Sequence, residues 1–177
     1  MVAVKILRPN VEKVFLKDLA ALLFLAKFIE FIIPSFRRLK PTEVVNHFER
    51  LVREELDLRM EISAAAEFAE NTKSDRNFYV PKVIWSLSGR RVVTTEWVDG
   101  MSVGDIERIK KSGVDIESFA KRIIKTFLTQ ALRDGFFHGD MHQGNLFVDD
   151  EGNIITVDFG IMGRLDVNNR KYLAEIL

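Results

Sequence analysis

The sequence has no cysteine, which excludes disulfides and thiol chemistry and fits a reducing compartment. It has no excess of either charge: 26 Lys and Arg balance 26 Asp and Glu, so nothing electrostatic favours a nucleic-acid partner. Neither a GxGxxG nor a GxxxxGK[ST] phosphate loop occurs. The opening residues Met1-Val2-Ala3-Val4-Lys5 run straight into patterned sequence without the form of a signal peptide. No apolar run reaches the roughly 20 residues of a membrane-spanning helix. The nearest, residues 19–33, carries Lys27 and Glu30 and ends at Pro34. It reads as a helix packed against protein, with contact at a membrane surface as the alternative.

What is present suits a folded domain. With 47% hydrophobic and 29% charged residues over 177 positions, the chain can bury a core as one domain or a compact pair of lobes. Residues 2–7 read as a strand stopped by Arg8-Pro9, and Asn10 as the cap of a helix to about Ile33. Pro41-Thr42-Glu43 opens a pattern of Val44, Val45, Phe48, Leu51, Val52, Leu56 and Met60, which predicts one long helix over 41–71. Residues 78–85 and 91–98 predict a β-hairpin, and Asp99-Gly100 a break. Ser102 is the expected cap of a short helix, and a further helix is predicted over 115–134. Strands at 146–148 and 154–157 flank a turn at 149–153. The order implies an α+β fold in two parts, 1–98 and 99–177.

The segment "HGDMHQGN", residues 138–145, sets polar groups between two apolar stretches. Asp140 and Asn145 precede one short strand, and Asp158 follows the next, so a hairpin brings all three to one mouth. Any one of them alone reads as a turn residue. Together they supply hard oxygen ligands for Mg²⁺ from Asn145 and Asp158, and leave Asp140 to orient or deprotonate an attacking hydroxyl. His138 and His142 invite zinc, but Gly139 and Gly144 disfavour a helix carrying both on one face, and the only other histidine is His47. Bracing of the loop by His138 is the expectation, with His142 doing the same or meeting substrate.

Lys5 lies in the apolar strand "VAVK" and needs an anionic partner. Asp57 and Glu61, four apart in "EELDLRME", share one helix face under the long-helix reading, and Glu61 is the expected partner. The backbone of "TTEWV", residues 94–98, ends a strand at the division between the two parts and offers main-chain groups to a planar base, as any sequence there would.

These segments in this order resemble the protein-kinase signature set, with HxDxxxxN as the catalytic loop and "DFG" at 158–160. "EELDLRME", "FFHGDMHQGNLFV" and "VDFG" more specifically resemble the UbiB (aarF-like) family of atypical kinases, with Glu55 and Asp57 as its ExD motif. The resemblance implies a kinase-like two-lobed fold with an incomplete N-terminal lobe, and ATP with Mg²⁺ as cofactors. It further implies support of ubiquinone biosynthesis, with quinone-pathway proteins or lipid as partners, in the cytoplasm or peripheral to an inner membrane. Carried over, Lys5 contacts the nucleotide phosphates and pairs with Glu61, and Asp140 is the catalytic aspartate. Asn145 and Asp158 hold metal, and Glu96 with Val98 forms the adenine hinge. The family's KxGQ extension and alanine-rich nucleotide loop would precede Met1, its C-terminal helices are absent, and Gln143 replaces a usual proline; a truncated domain is therefore expected. A small-molecule phosphotransferase of the aminoglycoside or choline kinase type and a non-catalytic nucleotide-binding scaffold are the alternatives.

Overall fold

A computed structural model describes residues 1–176; Leu177, the last position of the expected second part, lies outside them. The architecture is α+β. The first strand, β1 (Val2–Ile6), runs into helix α1 (Val11–Ile32), a 3-10 turn at Pro34–Leu39, α2 (Pro41–Glu55) and α3 (Leu58–Thr72). Strands β2 (Phe78–Tyr79), β3 (Val92–Glu96) and β4 (Met101–Ser102) follow, then α4 (Ile106–Ser112) and α5 (Ile116–Thr129), which widens into a π-turn at Gln130–Asp134. The chain closes with β5 (Phe136–His138), β6 (Leu146–Val148), β7 (Ile154–Thr156), β8 (Met162–Arg164) and α6 (Val167–Ile176).

The strands form three small sheets. β1 pairs antiparallel with β3 over its whole length, from Val2 opposite Glu96 to Ile6 opposite Val92. A second sheet has the order β2-β7-β6-β4, and the third joins β5 to β8. The tight β6–β7 turn is built by Asp149, whose carboxylate accepts from the amides of Glu151 and Asn153, with Gly152 at φ +82.

Five expectations need correction. The helix predicted over 41–71 is two helices, because Leu56 and Asp57 leave the helical region and the Asp57 side chain caps α3 by accepting from the Arg59 amide. Asp57 and Glu61 therefore do not share a helix face as expected. The predicted hairpin keeps its pairing only from Lys82 onward, where Val83 is bridged to Thr95 and the amides of Glu96 and Ile84 donate to the carbonyls of Lys82 and Thr94, while β2 pairs parallel with β7. Pro81, with no N–H to donate, interrupts the run between them. Asn10 sits in the left-handed region and makes no side-chain cap bond, and the short helix α4 is capped by Asp105 rather than Ser102.

The core divides into packed clusters. In α3, Leu58, Glu61, Ile62, Ala65, Phe68 and Thr72 are buried, a spacing of three and four that lays one helix face against the sheets. Phe68 has no exposed surface and meets the rings of Phe78, Phe136 and Phe159 at centroid distances of 5.7, 6.1 and 5.9 Å. Met101, Ile109, Phe119, Leu146, Val148 and Ile154 fill a second cluster beneath β6 and β7. The α1–α2 pair is different. Leu19 and Ala26 are buried, but Phe24, Phe28 and Ile32 are 72, 50 and 55% exposed, so the reading of residues 19–33 as a helix packed against protein holds for one stripe only.

Candidate active site

The site starts from Lys5. Alternation along β1 puts Ala3 and Lys5 on one face, and the pairing with β3 holds that face over a cavity of about 370 Å³. On the opposite side α3 presents Glu61, its one buried charge, whose residue is only 9% exposed. A buried carboxylate requires a cation. Lys5 Nζ donates to both Glu61 oxygens, at 3.0 and 2.9 Å, and also to Asp158 Oδ1 at 2.9 Å.

The three groups perturb one another. Burial pushes the Lys5 ammonium down, but its hydrogen bonds to the Glu61 and Asp158 carboxylates and their charge outweigh it, and the net shift is upward. Burial raises the Glu61 carboxyl further than Lys5 lowers it, so Glu61 lies above its ordinary 4.5. For Asp158 burial acts upward too, yet Lys5 and the Gly160 amide win and the carboxyl is held below its ordinary 3.8. Lys5 is 46% exposed, so its pairs contribute about 1 kcal/mol at most to stability. Their main effect is to position the ammonium.

Asp158 ends β7's trailing segment with φ 61, a left-handed conformation unusual for a residue with a Cβ. Two anchors hold it. Phe159 is buried against Phe68, and its ring meets His138 at 5.7 Å. His138 is 1% exposed; its Nε2 donates to the Asp158 carbonyl at 2.9 Å, and its Nδ1 accepts from the Asp140 amide at 3.1 Å. The Nε2–H tautomer satisfies both bonds, so the imidazole ties the Asp140 loop to the Asp158 turn. With both nitrogens engaged, His138 is not free to ligate zinc. His142 turns its Nδ1 to accept from the Gly144 amide at 2.9 Å, and its Nε2 lies 3.5 Å from Asp140 Oδ2.

Asn145 is buried. Its Nδ2 donates to the Asp140 carbonyl at 3.1 Å, which leaves Oδ1 without a partner among the described residues. Asp158 Oδ2 is likewise free there, since Lys5 and Gly160 both bond Oδ1. Two hard oxygens suit a Mg²⁺ ion that takes its remaining ligands from phosphates and water. No group of three His, Cys, Asp or Glu side chains among the described residues forms a self-sufficient cage.

At the far end of the cavity the Glu96 carboxylate accepts from the Tyr79 hydroxyl, which burial and this bond push up to about 12. Glu96 and Val98 line the cavity, and the Val98 amide, beyond the end of β3, makes no hydrogen bond among the described residues. Lys5, Glu61, Asp158, Glu96 and Val98 thus border one space, whereas His138, Asp140, His142 and Asn145 are not among its lining residues and join it through the Asp158 turn that His138 holds. Glu55 is exposed and Asp57 is occupied by Arg59; neither borders the cavity. Sequence reasoning missed Phe147, which lines the floor; its signal is the alternation Leu146-Phe147-Val148, whose outer two residues are buried in the core. It also missed the Tyr79–Glu96 contact, which no local spacing reveals.

Comparison with known proteins identifies the family. Residues 1–177 match the ABC1 atypical kinase-like domain. A protein named "Probable protein kinase UbiB" from Aliivibrio fischeri (strain MJ11) is 38% identical over 99% of this chain, and the one from Glaesserella parasuis serovar 5 (strain SH0165) is 38% identical over 98%. The chain spans 33 and 32% of the length of these relatives. In the erythromycin complex of Rv3197 from Mycobacterium tuberculosis, a similar fold covers 92% of this chain and 40% of that one, with a TM-score of 0.70 and 27% identity. The chain belongs to the ABC1 atypical kinase-like family, and the fold is kinase-like, as the motifs implied.

Proposed function

We propose that the chain binds Mg-ATP in the Lys5–Asp158 cavity and transfers or hydrolyses the γ-phosphoryl group, as a UbiB-type kinase or ATPase. The observation that carries this reading is the Lys5 ammonium bridging Glu61 and Asp158 beside the Asp140–Asn145 loop. Phosphoryl transfer needs little covalent help from protein; it needs positioning and neutralisation of spread negative charge. Lys5 is placed to meet phosphate oxygens, and Glu61 keeps it there. The Val98 amide and the Glu96 carbonyl present hinge groups to a base resting on Ala3 and Phe147. Asn145 and Asp158 would hold the metal, which supplies charge neutralisation when bound. Asp140, 42% exposed at its side chain, accepts the proton of the attacking hydroxyl or water as that oxygen bonds to phosphorus. The bond to the bridging oxygen breaks and ADP leaves.

A role supporting ubiquinone biosynthesis, implied by the likeness to UbiB, is proposed with it, as is peripheral contact with a membrane on the cytoplasmic side. No helix among the described residues is long and apolar enough to cross a membrane. The test is ATP turnover by the Asp140→Asn variant. Turnover should fall about 100-fold or more while nucleotide affinity stays within a few-fold. Unchanged turnover removes Asp140 from the reaction.

A further inference from the structure

A second cavity, of about 300 Å³, lies between the loop that leaves α3 and one face of α5, and it shares no lining residue with the nucleotide cavity. Arg122, Lys125, Thr126 and Thr129 stand at i, i+3, i+4 and i+7 on α5 and line it together, with Arg76 facing them from the loop. None of Arg76, Arg122 and Lys125 has a carboxylate within 4 Å among the described residues. The one acid in the lining, Asp75, is already held by Arg133 at 2.5 and 3.1 Å.

Arg122 is the informative residue. Its Nε is buried and has no hydrogen-bond partner, although native proteins pair nearly all such donors. Its Nη2 lies 3.2 Å from where a Cβ on Gly152 would stand, so the turn residue at φ +82 is one whose missing side chain leaves the guanidinium room. Arg76, Arg122 and Lys125, with the hydroxyls of Ser74 and Thr126, surround one small space suited to an anion, while the Thr129 hydroxyl is donated to the Lys125 carbonyl. A planar fork and a point charge with hydroxyl donors suit a tetrahedral oxyanion.

We propose that this cavity binds the phosphate group of a small soluble molecule, independently of the nucleotide cleft. The test is thermal unfolding in a titration of inorganic pyrophosphate at constant ionic strength set with NaCl. Wild type and Lys5→Met, altered only in the cleft, should both show a saturable rise of several degrees. The exposed pair Arg76→Gln/Lys125→Gln should lose that rise, and each single change should weaken pyrophosphate about 10-fold, equivalent to 1.4 kcal/mol. Circular dichroism confirms that the variants fold. A rise lost in Lys5→Met would assign the anion to the cleft, and a rise kept in the double variant, or none in wild type, would equally overturn the proposal.

Discussion

His138 joins two loops through two hydrogen bonds, one at each ring nitrogen, and that dual use was only half visible in the sequence. The spacing of "HGDMHQGN" makes the loop recognisable because its members are neighbours along the chain. The tautomer is not legible, since it depends on the Asp158 carbonyl 20 residues away. Replacing His138 with Ala orphans the Asp140 amide and opens a hole beside Phe159. The loss should be roughly 3 kcal/mol, measured by denaturant midpoint, because each unsatisfied buried group costs about 1–3 kcal/mol. Glu61 yields a pH prediction at the same scale. Its carboxyl is raised on folding, so the native state favours the neutral acid. That contribution is complete below 4.5 and is lost as pH rises through the folded value. The stability of wild type relative to Glu61→Gln should therefore decline as pH rises above 4.5 in urea unfolding series. An advantage that grows with pH would show that the Lys5 pair outweighs burial.

Elements were legible where periodicity and caps agreed, and misread where one residue changed its task. Asp57 fits an acidic helix surface in sequence, yet it stops one helix and starts the next. Asp57→Ala should cost α3 about 1 kcal/mol, with Asp57→Asn recovering most of it, as capping by a short polar side chain requires. The hairpin expectation failed at Pro81, and the parallel pairing of β2 with β7 lies across 76 residues, which no local pattern encodes. The helix α1 presents another kind of difficulty. Its near all-round apolarity says that something must be covered, but the face covered here is the stripe of Leu19 and Ala26. Serine at Phe24, Phe28 and Ile32 together should leave the unfolding midpoint within about 1 kcal/mol of wild type. Unfolding of that variant would mean that those side chains are core.

At the scale of the whole molecule, the family and the kinase-like fold follow from motifs that sit in order along the entire chain. The pairing that assembles the site does not. Lys5 and Glu61 are 56 residues apart and Lys5 and Asp158 are 153 apart. Only the β1–β3 sheet, α3 and the β6–β7 hairpin together bring them within 3.0 Å. The central claim is that this constellation holds Mg-ATP, and the most direct measurement is a thermal-unfolding titration of the chain with ATP, with and without Mg²⁺. A ligand at a hundredfold excess over its Kd stabilises the native state by about 2.7 kcal/mol, or about 5–10 °C for a chain of this size. The account predicts a saturable rise that needs Mg²⁺ and disappears in Asp158→Ala. No rise in wild type, or the same rise in Asp158→Ala, would contradict it.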